Sequence, residues 1–234
     1  MPTWLITGTS RGIGLELVRQ LAANSANTTV IATARTPASA TALSEIAAAH
    51  KSVHVVPLDV LSDESVNAAA AAAKTALNGA PLDYLINNAG IGSGDTIAEA
   101  TPAELDRQFQ THVVGPLRVI RALLPLLDVP AGRRVVVNVS SGLGSIGLDI
   151  GPKNASYSIA KAAQNMLTYK ISRQYPQLTA LILDPGWIKT DMGGPDAVLD
   201  VDFAVAKHIA LFEAAQHDSH SGRFFRYTGE EIPW

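Results

Sequence analysis

Short runs of β-branched and aliphatic residues alternate with longer stretches of helical pattern through most of this chain, and that alternation leaves few folds open to it. The runs are continuously apolar rather than apolar at every second residue, the mark of strands covered on both faces. Consecutive strands joined by helices run parallel, because only a crossover returns the chain to the same end of a sheet. The expected architecture is α/β: a doubly wound parallel sheet of seven strands with helices on both faces. Candidate strands are Thr3–Thr7, Thr29–Ala34, Val53–Leu58, Tyr84–Asn87, Arg134–Val139, Ala180–Leu183 and a last one near Arg223–Phe225.

The pattern predicts helices over Ile13–Ala23, Ala38–Ala49, Ser62–Leu77, Pro102–Leu127, Ala155–Gln174 and Phe203–Ala214. Ser62 reads as an N-cap followed by Asp63 and Glu64, whose charges suit the positive end of a helix dipole, and Thr101 stands in the same way before Pro102 and Glu104. The alanines Ala68–Ala73 belong to a helix rather than a linker, since alanine is the best helix former. Composition does not shift anywhere to mark a second domain, so residues 1–234 are read as one. A net charge of -3 and a pI near 6.0 leave no basic footprint for nucleic acid or an anionic membrane. The absence of cysteine excludes disulfides and thiolate metal sites, and the opening Met-Pro-Thr-Trp-Leu-Ile-Thr-Gly has no secretory pattern, so the expected location is cytoplasmic.

Ligands of open α/β sheets bind beyond the carboxyl ends of the strands, so the loops there carry the functional reading. Thr7-Gly8-Thr9-Ser10-Arg11-Gly12-Ile13-Gly14 follows the first strand and opens the first helix. Its glycines stand where bare N–H groups must approach a pyrophosphate, although the spacing G-x-x-x-G-x-G departs from G-x-G-x-x-G. About 20 residues on, where an acidic residue would bind the ribose hydroxyl of NAD, the chain has Ala34 and Arg35. Without a carboxylate to repel a 2′-phosphate, and with Arg35 and Arg11 to pair with it, NADP(H) is the expected cofactor.

Tyr157 and Lys161 lie one helical turn apart at the start of a predicted helix, on one face. An ammonium beside a phenol stabilises the phenolate, and the expected result is a Tyr157 pKa drawn toward neutrality for acid–base work. Ser141, after the strand Arg134–Val139, brings a hydroxyl to the same end of the sheet, with Ser140 as its rival.

Thr7–Gly14, Asn87-Asn88-Ala89-Gly90, Ser141, Tyr157-x-x-x-Lys161 and Pro185-Gly186, in that order, resemble the short-chain dehydrogenase/reductase family over nearly the whole chain. Ser141-Gly-Leu-Gly-Ser-Ile, Pro185-Gly-Trp-Ile-Lys-Thr-Asp-Met-Gly-Gly and the stretch from Gly222 to Trp234 look like its C-factor-like and Sniffer-like carbonyl reductases. The resemblance implies a Rossmann fold and an NADPH-dependent reduction of a ketone, aldehyde or quinone. Tyr157 would give the proton, Ser141 would bond the carbonyl oxygen and Lys161 would bind the nicotinamide ribose, with no metal. It places Gly8, Ser10, Arg11, Gly12, Ile13 and Gly14 at the phosphates and Asp59 and Val60 at the adenine. Asn88, Ala89 and Gly90 would lie beside the adenosine ribose, and Pro185, Gly186, Ile188 and Thr190 along the nicotinamide. Asp59 and Ile188 also read as a turn residue and a packing residue.

The family's Asn-x-x-Gly is here His112-Val-Val-Gly115, so His112 can substitute in a proton relay, fill the space or mark altered chemistry. The substrate loop would be residues 191–202, helped by 92–96 and 143–154, with Leu143, Ile146, Leu148, Trp187 and Met192 as apolar lining or as core. A homodimer or homotetramer follows from the resemblance. Two other functions stand beside the reductase: a non-redox isomerase or cyclase marked by His112, and an NADP-binding regulatory protein of low turnover.

Overall fold

The structure, a computed structural model, describes residues 1–24, 28–127, 132 and 134–234. The elements in chain order are β1 (Thr3–Ile6), α1 (Gly12–Asn24), β2 (Thr29–Ala34), α2 (Thr41–Ala49), β3 (Val53–Pro57), α3 (Asp63–Leu77), β4 (Tyr84–Asn87) and α4 (Pro102–Phe109). A π turn (Gln110–Val114) leads into α5 (Gly115–Leu127), followed by β5 (Val135–Val139), α6 (Ala155–Gln174), β6 (Thr179–Asp184), α7 (Val201–Ala214), α8 (His217–His220) and β7 (Phe224–Arg226). The seven strands form one parallel sheet in the order β3-β2-β1-β4-β5-β6-β7. This is the Rossmann-type sheet expected from the sequence.

The strands are apolar throughout because each face of the sheet is packed. Trp4, Ile6, Val30, Ala32, Val137 and Leu183 join Leu17, Val18, Leu43, Val205 and Phe212 in one core. The intervening Leu5, Ile31, Val136 and Ala180 join Val66, Ala69, Ala73, Ile120, Leu123 and Ile171 in the other. Each fully buried aliphatic side chain contributes about 1.5–3 kcal/mol, so a charge in any of these strands would break the layer it faces. The alanine run is explained on the same terms, since Ala69 and Ala73 let α3 lie close on the sheet. Ser62 Oγ accepts from Ser65 N at 3.1 Å and Thr101 Oγ1 from Glu104 N at 3.1 Å, the two expected caps.

Three predicted boundaries are corrected. The single helix Pro102–Leu127 is interrupted at Gln110–Val114, where Gly115 N bonds the Gln110 carbonyl five residues back. Pro116 has no N–H to give the His112 carbonyl, so the regular ladder cannot pass this point, and the turn widens around His112. Pro37–Ser39 forms a separate 3-10 turn before α2. α7 begins at Val201, inside the expected substrate loop.

The strand order reverses between β1 and β4, and the crevice beyond their carboxyl ends is the natural ligand position in such a sheet. The ends of β1, β2, β4, β5 and β6 deliver Gly8, Arg35, Asn88, Ser141 and Pro185 to that edge.

Candidate active site

At the β1–α1 turn the backbone is held from β4. Thr7 Oγ1 accepts from Asn88 N and Ala89 N, both at 3.0 Å, while Asn88 Nδ2 donates to the carbonyls of Thr7 at 3.0 Å and Gly8 at 3.1 Å. Gly8 has φ +72°, and a Cβ there would lie 2.8 Å from Ala89 Cα; a Cβ on Gly14 would overlap the Gly8 carbonyl oxygen. Only glycine lets the turn sit this tightly at the start of α1, where free N–H groups and the helix dipole favour an anion. Arg11 and Arg35 are both exposed around it.

At the β5–α6 side, α6 starts in a mount that the sequence did not announce. Asp95 accepts from Ser156 N at 3.2 Å and from Ser156 Oγ, its carbonyl accepts from Ala155 N, and Asn154 Nδ2 donates to the Ser93 carbonyl. The carboxylate of Asp95 is held below its usual range, chiefly by the hydroxyls of Ser156 and Ser93. At the next residue the Tyr157 hydroxyl faces that of Ser141, near enough to be stabilised by it, and Lys161 Nζ, one turn further along, lies 5.4 Å from the centre of the Tyr157 ring. The rivalry between the two serines resolves in structure: Ser140 is buried and spends its hydroxyl on Asn165 Oδ1 at 2.6 Å, whereas Ser141 is turned toward Tyr157.

His112 packs edge-on against Tyr157, with ring centres 5.3 Å apart and planes at 87°. Its Nε2 lies 2.9 Å from the Ile91 carbonyl and 3.5 Å from Ile91 N, and the shorter contact favours the proton on that nitrogen; Nδ1 is buried with no hydrogen-bond partner among the described residues. Burial above all, and the charge of Lys161 next, push its pKa down to about 2, so the ring is a neutral imidazole across the physiological range.

The expected pull of Lys161 on Tyr157 is corrected. Burial raises the Tyr157 pKa well above that of a free phenol, outweighing the opposing bond from Ser141, and the charge of Asp184 adds to the rise. Lys161 has no large hold on the phenol, and it is itself driven down to about 7 by burial. The protein by itself therefore keeps Tyr157 protonated, the state a proton donor requires.

On the far side of the crevice, Asp184 Oδ1 accepts from Gly186 N at 3.3 Å, and His208 Nε2 meets the Pro185 carbonyl at 3.0 Å, so the β6 turn is held from the strand end and from α7. Residues 187–200 close on themselves: Trp187 Nε1 donates to the Gly193 carbonyl at 2.8 Å, Gly193 N to Thr190 Oγ1 at 3.1 Å, and Ile188 pairs with Leu199. Trp187, Met192 and Val198 stay exposed at 53%, 55% and 68%, and Arg11 meets Asp191 at 3.3 Å across the crevice.

A model described as short chain dehydrogenase matches residues 2–197. The chain belongs to the short-chain dehydrogenase family. It is 40% identical to the C-signal protein of Myxococcus xanthus over 157 residues, 66% of this chain and 93% of that one. Among solved structures, an NADPH-bound carbonyl reductase from chicken fatty liver superposes with a TM-score of 0.94 at 34% identity, covering 100% of this chain and 99% of that one. The carbonyl reductase Sniffer of D. melanogaster gives 0.93 at 31%, covering both chains fully. The protein is thus an oxidoreductase of this family.

Within this short-chain dehydrogenase the fold gathers Ser141, Tyr157, Lys161 and His112 around one point and sets Gly8–Gly14 at the neighbouring strand end. Other expected contacts are spent within the protein. Ile188 is 3% exposed, Val60 belongs to the core, Asp59 Oδ1 caps its own turn through Leu61 N, and Leu148 packs against Ile182, Phe224 and Ile232. Sequence reasoning missed Asp95, Gln164, Asp184 and His208. Asp95 lies in a glycine-rich loop 61 residues before Ser156 of the helix it holds, and nothing local showed which helix it would reach.

Proposed function

We propose that the protein is an NADPH-dependent carbonyl reductase that turns a ketone, aldehyde or quinone into an alcohol. The observation that carries this reading is the meeting of the Ser141 and Tyr157 hydroxyls over the carboxyl end of β5, with a protonated phenol and a lysine below it. The nicotinamide, when bound, supplies the hydride. Negative charge then builds on the carbonyl oxygen, where Ser141 donates a hydrogen bond and Tyr157 gives its proton. Lys161 stands behind the phenol, where its part is to bind the ribose hydroxyls of the nicotinamide half when the cofactor is in place.

The glycine turn fits the dinucleotide's pyrophosphate, because without side chains at Gly8 and Gly14 it packs closely on Ala89 and on itself and so sets bare N–H groups at the start of α1. Preference for NADPH rests on Arg35, exposed at the end of β2, on Arg11, whose solvent-screened pair with Asp191 is weak enough to exchange for a 2′-phosphate, and on the absence of an acidic residue at that strand end. The similarity to an NADPH-bound carbonyl reductase supports the same choice. Gly12, Ser10, Ile13, Asn88, Ala89, Gly90, Asp59, Val60, Pro185, Gly186, Ile188 and Thr190 complete the proposed dinucleotide site, largely through backbone. His112 is a neutral packing partner for Tyr157, which argues against an imidazolium-based isomerase. Trp187, Met192 and Ile146 offer exposed apolar surface to a bulky, non-polar carbonyl compound.

Loss of NADPH absorbance with a panel of aromatic and alicyclic ketones, aldehydes and quinones tests the reading. Turnover with NADPH well above that with NADH is expected; NADPH binding without turnover of any compound would overturn it in favour of a regulatory protein.

A further inference from the structure

Lys161 holds its ammonium with two bonds inside the protein. Nζ donates to the Val139 carbonyl at 2.7 Å and to Gln164 Oε1 at 3.0 Å. An ammonium has three N–H donors, so one is left. Lys161 is 3% exposed and Gln164 1%, so bulk solvent reaches neither bond. A primary amide buried on a helix face that otherwise packs against a strand needs a use for its dipole, and here the oxygen has one.

Gln164 is itself held in place. It lies three residues after Lys161 on α6, one of the spacings at which helix side chains meet. Its backbone carbonyl accepts from Thr168 Oγ1 at 2.8 Å, Thr168 Oγ1 accepts from Asn138 Nδ2 at 2.7 Å, and Asn138 Oδ1 accepts from Asn87 Nδ2 at 2.8 Å. This seam ties the lysine's neighbour to β5 and, through it, to β4. Alongside it, Asn165 bonds Ser140 and the Gly144 carbonyl, and so fixes the turn that carries Ser141.

We propose that Gln164 is a positioning residue for Lys161: its amide oxygen and the Val139 carbonyl occupy two ammonium donors, leaving the third for the Tyr157 side of the crevice. The use made of that donor rests on the carbonyl-reductase reading; the placement of the lysine does not. The titratable and charged groups around Lys161 are Tyr157 on its own helix and His112 from the π turn, with Arg107 of α4 acting on His112 and Asp184 from the end of β6 acting on Tyr157. The turn from Ser140 to Ser145 brings no charge.

Removing the amide takes one acceptor from a buried ammonium and eases its loss of a proton, whereas a carboxylate in the same place retains the proton. Turnover should therefore lose its alkaline limb about one pH unit lower in Gln164→Met and about one unit higher in Gln164→Glu, relative to the unchanged protein. Pure packing damage would lower kcat in both without displacing the limb in opposite directions. Limbs that coincide with that of the unchanged protein, or move the same way, overturn the positioning role. If the unchanged protein reduces no carbonyl compound, the functional reading falls by itself, and the pH dependence of NADPH binding, followed by fluorescence, takes the place of turnover: opposite displacements support the role and coincident curves overturn it. Methionine nearly matches glutamine in length; should thermal melting show that one variant does not fold, the direction of the shift in the other decides.

Discussion

The floor of the crevice, where α6 lies on β5, and its rim, made by the phosphate turn and residues 187–200, hold their polar side chains in different ways. On the floor, Asn138, Ser140, Lys161, Gln164, Asn165 and Thr168 are all buried, and each has a partner within the protein. On the rim, Arg11, Arg35, Trp187 and Asp191 are exposed, and the ion pair between Arg11 and Asp191 joins two side chains that are about three-quarters exposed. Low dielectric makes each floor bond count and makes any unpaired group there expensive, while solvent screens the rim. The difference separates the part that fixes the reaction from the part that selects its ligands, and it orders the effects to be expected.

Tyr157→Phe attacks the floor most directly. It removes the proton donor and leaves the ring against His112, so carbonyl reduction should fall by about a thousandfold while NADPH binding and melting temperature stay nearly as they were. Steady-state kinetics beside a binding titration would show it; unaffected turnover would remove Tyr157 from the chemistry and the floor from its assigned part.

The buried imidazoles, His112 beside the floor and His208 beneath the turn that leads into the rim, give the molecule a second signature, in acid. His112 and His208 have folded pKa values near 2 and 4, both below the ordinary value of 6.5. As pH falls through about 6.5, the unfolded chain takes up two protons that the folded chain refuses, so stability is full above that pH and is lost below it. Between pH 7 and pH 5 the loss should be about 2 kcal/mol for each histidine, roughly thirtyfold in the folding equilibrium. Urea unfolding at the two pH values measures it. Equal stability at both would mean that the rings are protonated in the folded protein and that the site is wetter than its burial implies.

Much of this organisation could be read from the chain before its structure, and the two regions differ in how much. The strands were legible because a strand buried on both faces must be apolar at every residue, a local property. Tyr157 and Lys161 were legible because a helix turn fixes their spacing. The floor's bonds were not, since Gln164, Asn165 and Thr168 on α6 look like ordinary polar residues until β5 is laid beneath them. The break in the helix at His112 had its cause in view, Pro116 four residues on, but proline inside a helical pattern does not say whether the chain kinks, ends or widens; Pro125 sits inside α5 without ending it. The sign of the Tyr157 shift was misjudged for the same reason: a neighbouring lysine is visible in sequence, and burial is not.

Rim substitutions should act on ligand choice and spare the chemistry. Arg35→Ala removes a charge proposed to meet the 2′-phosphate, and the KM for NADPH should rise on the order of tenfold, with that for NADH and with kcat little altered. Equal effects on the two cofactors would leave Arg35 as a solvated surface charge and take away a main reason for preferring NADPH.

The smallest effect belongs to the bond that is easiest to see. Arg11 reaches from the phosphate turn to Asp191 beyond the crevice and draws a closed rim, and it would be natural to treat the pair as a latch. Its exposure argues otherwise: water and salt screen both charges, and holding two flexible side chains together offsets most of what their attraction contributes. The loop also needs no latch, because Trp187, Thr190 and Leu199 already close it internally and His208 anchors its first turn. Asp191→Asn should change the KM for either ligand by less than about threefold, and any change should vanish in half-molar salt. A larger, salt-resistant effect would show that the rim is fastened across the crevice as the floor is, and the contrast between the two regions would no longer hold.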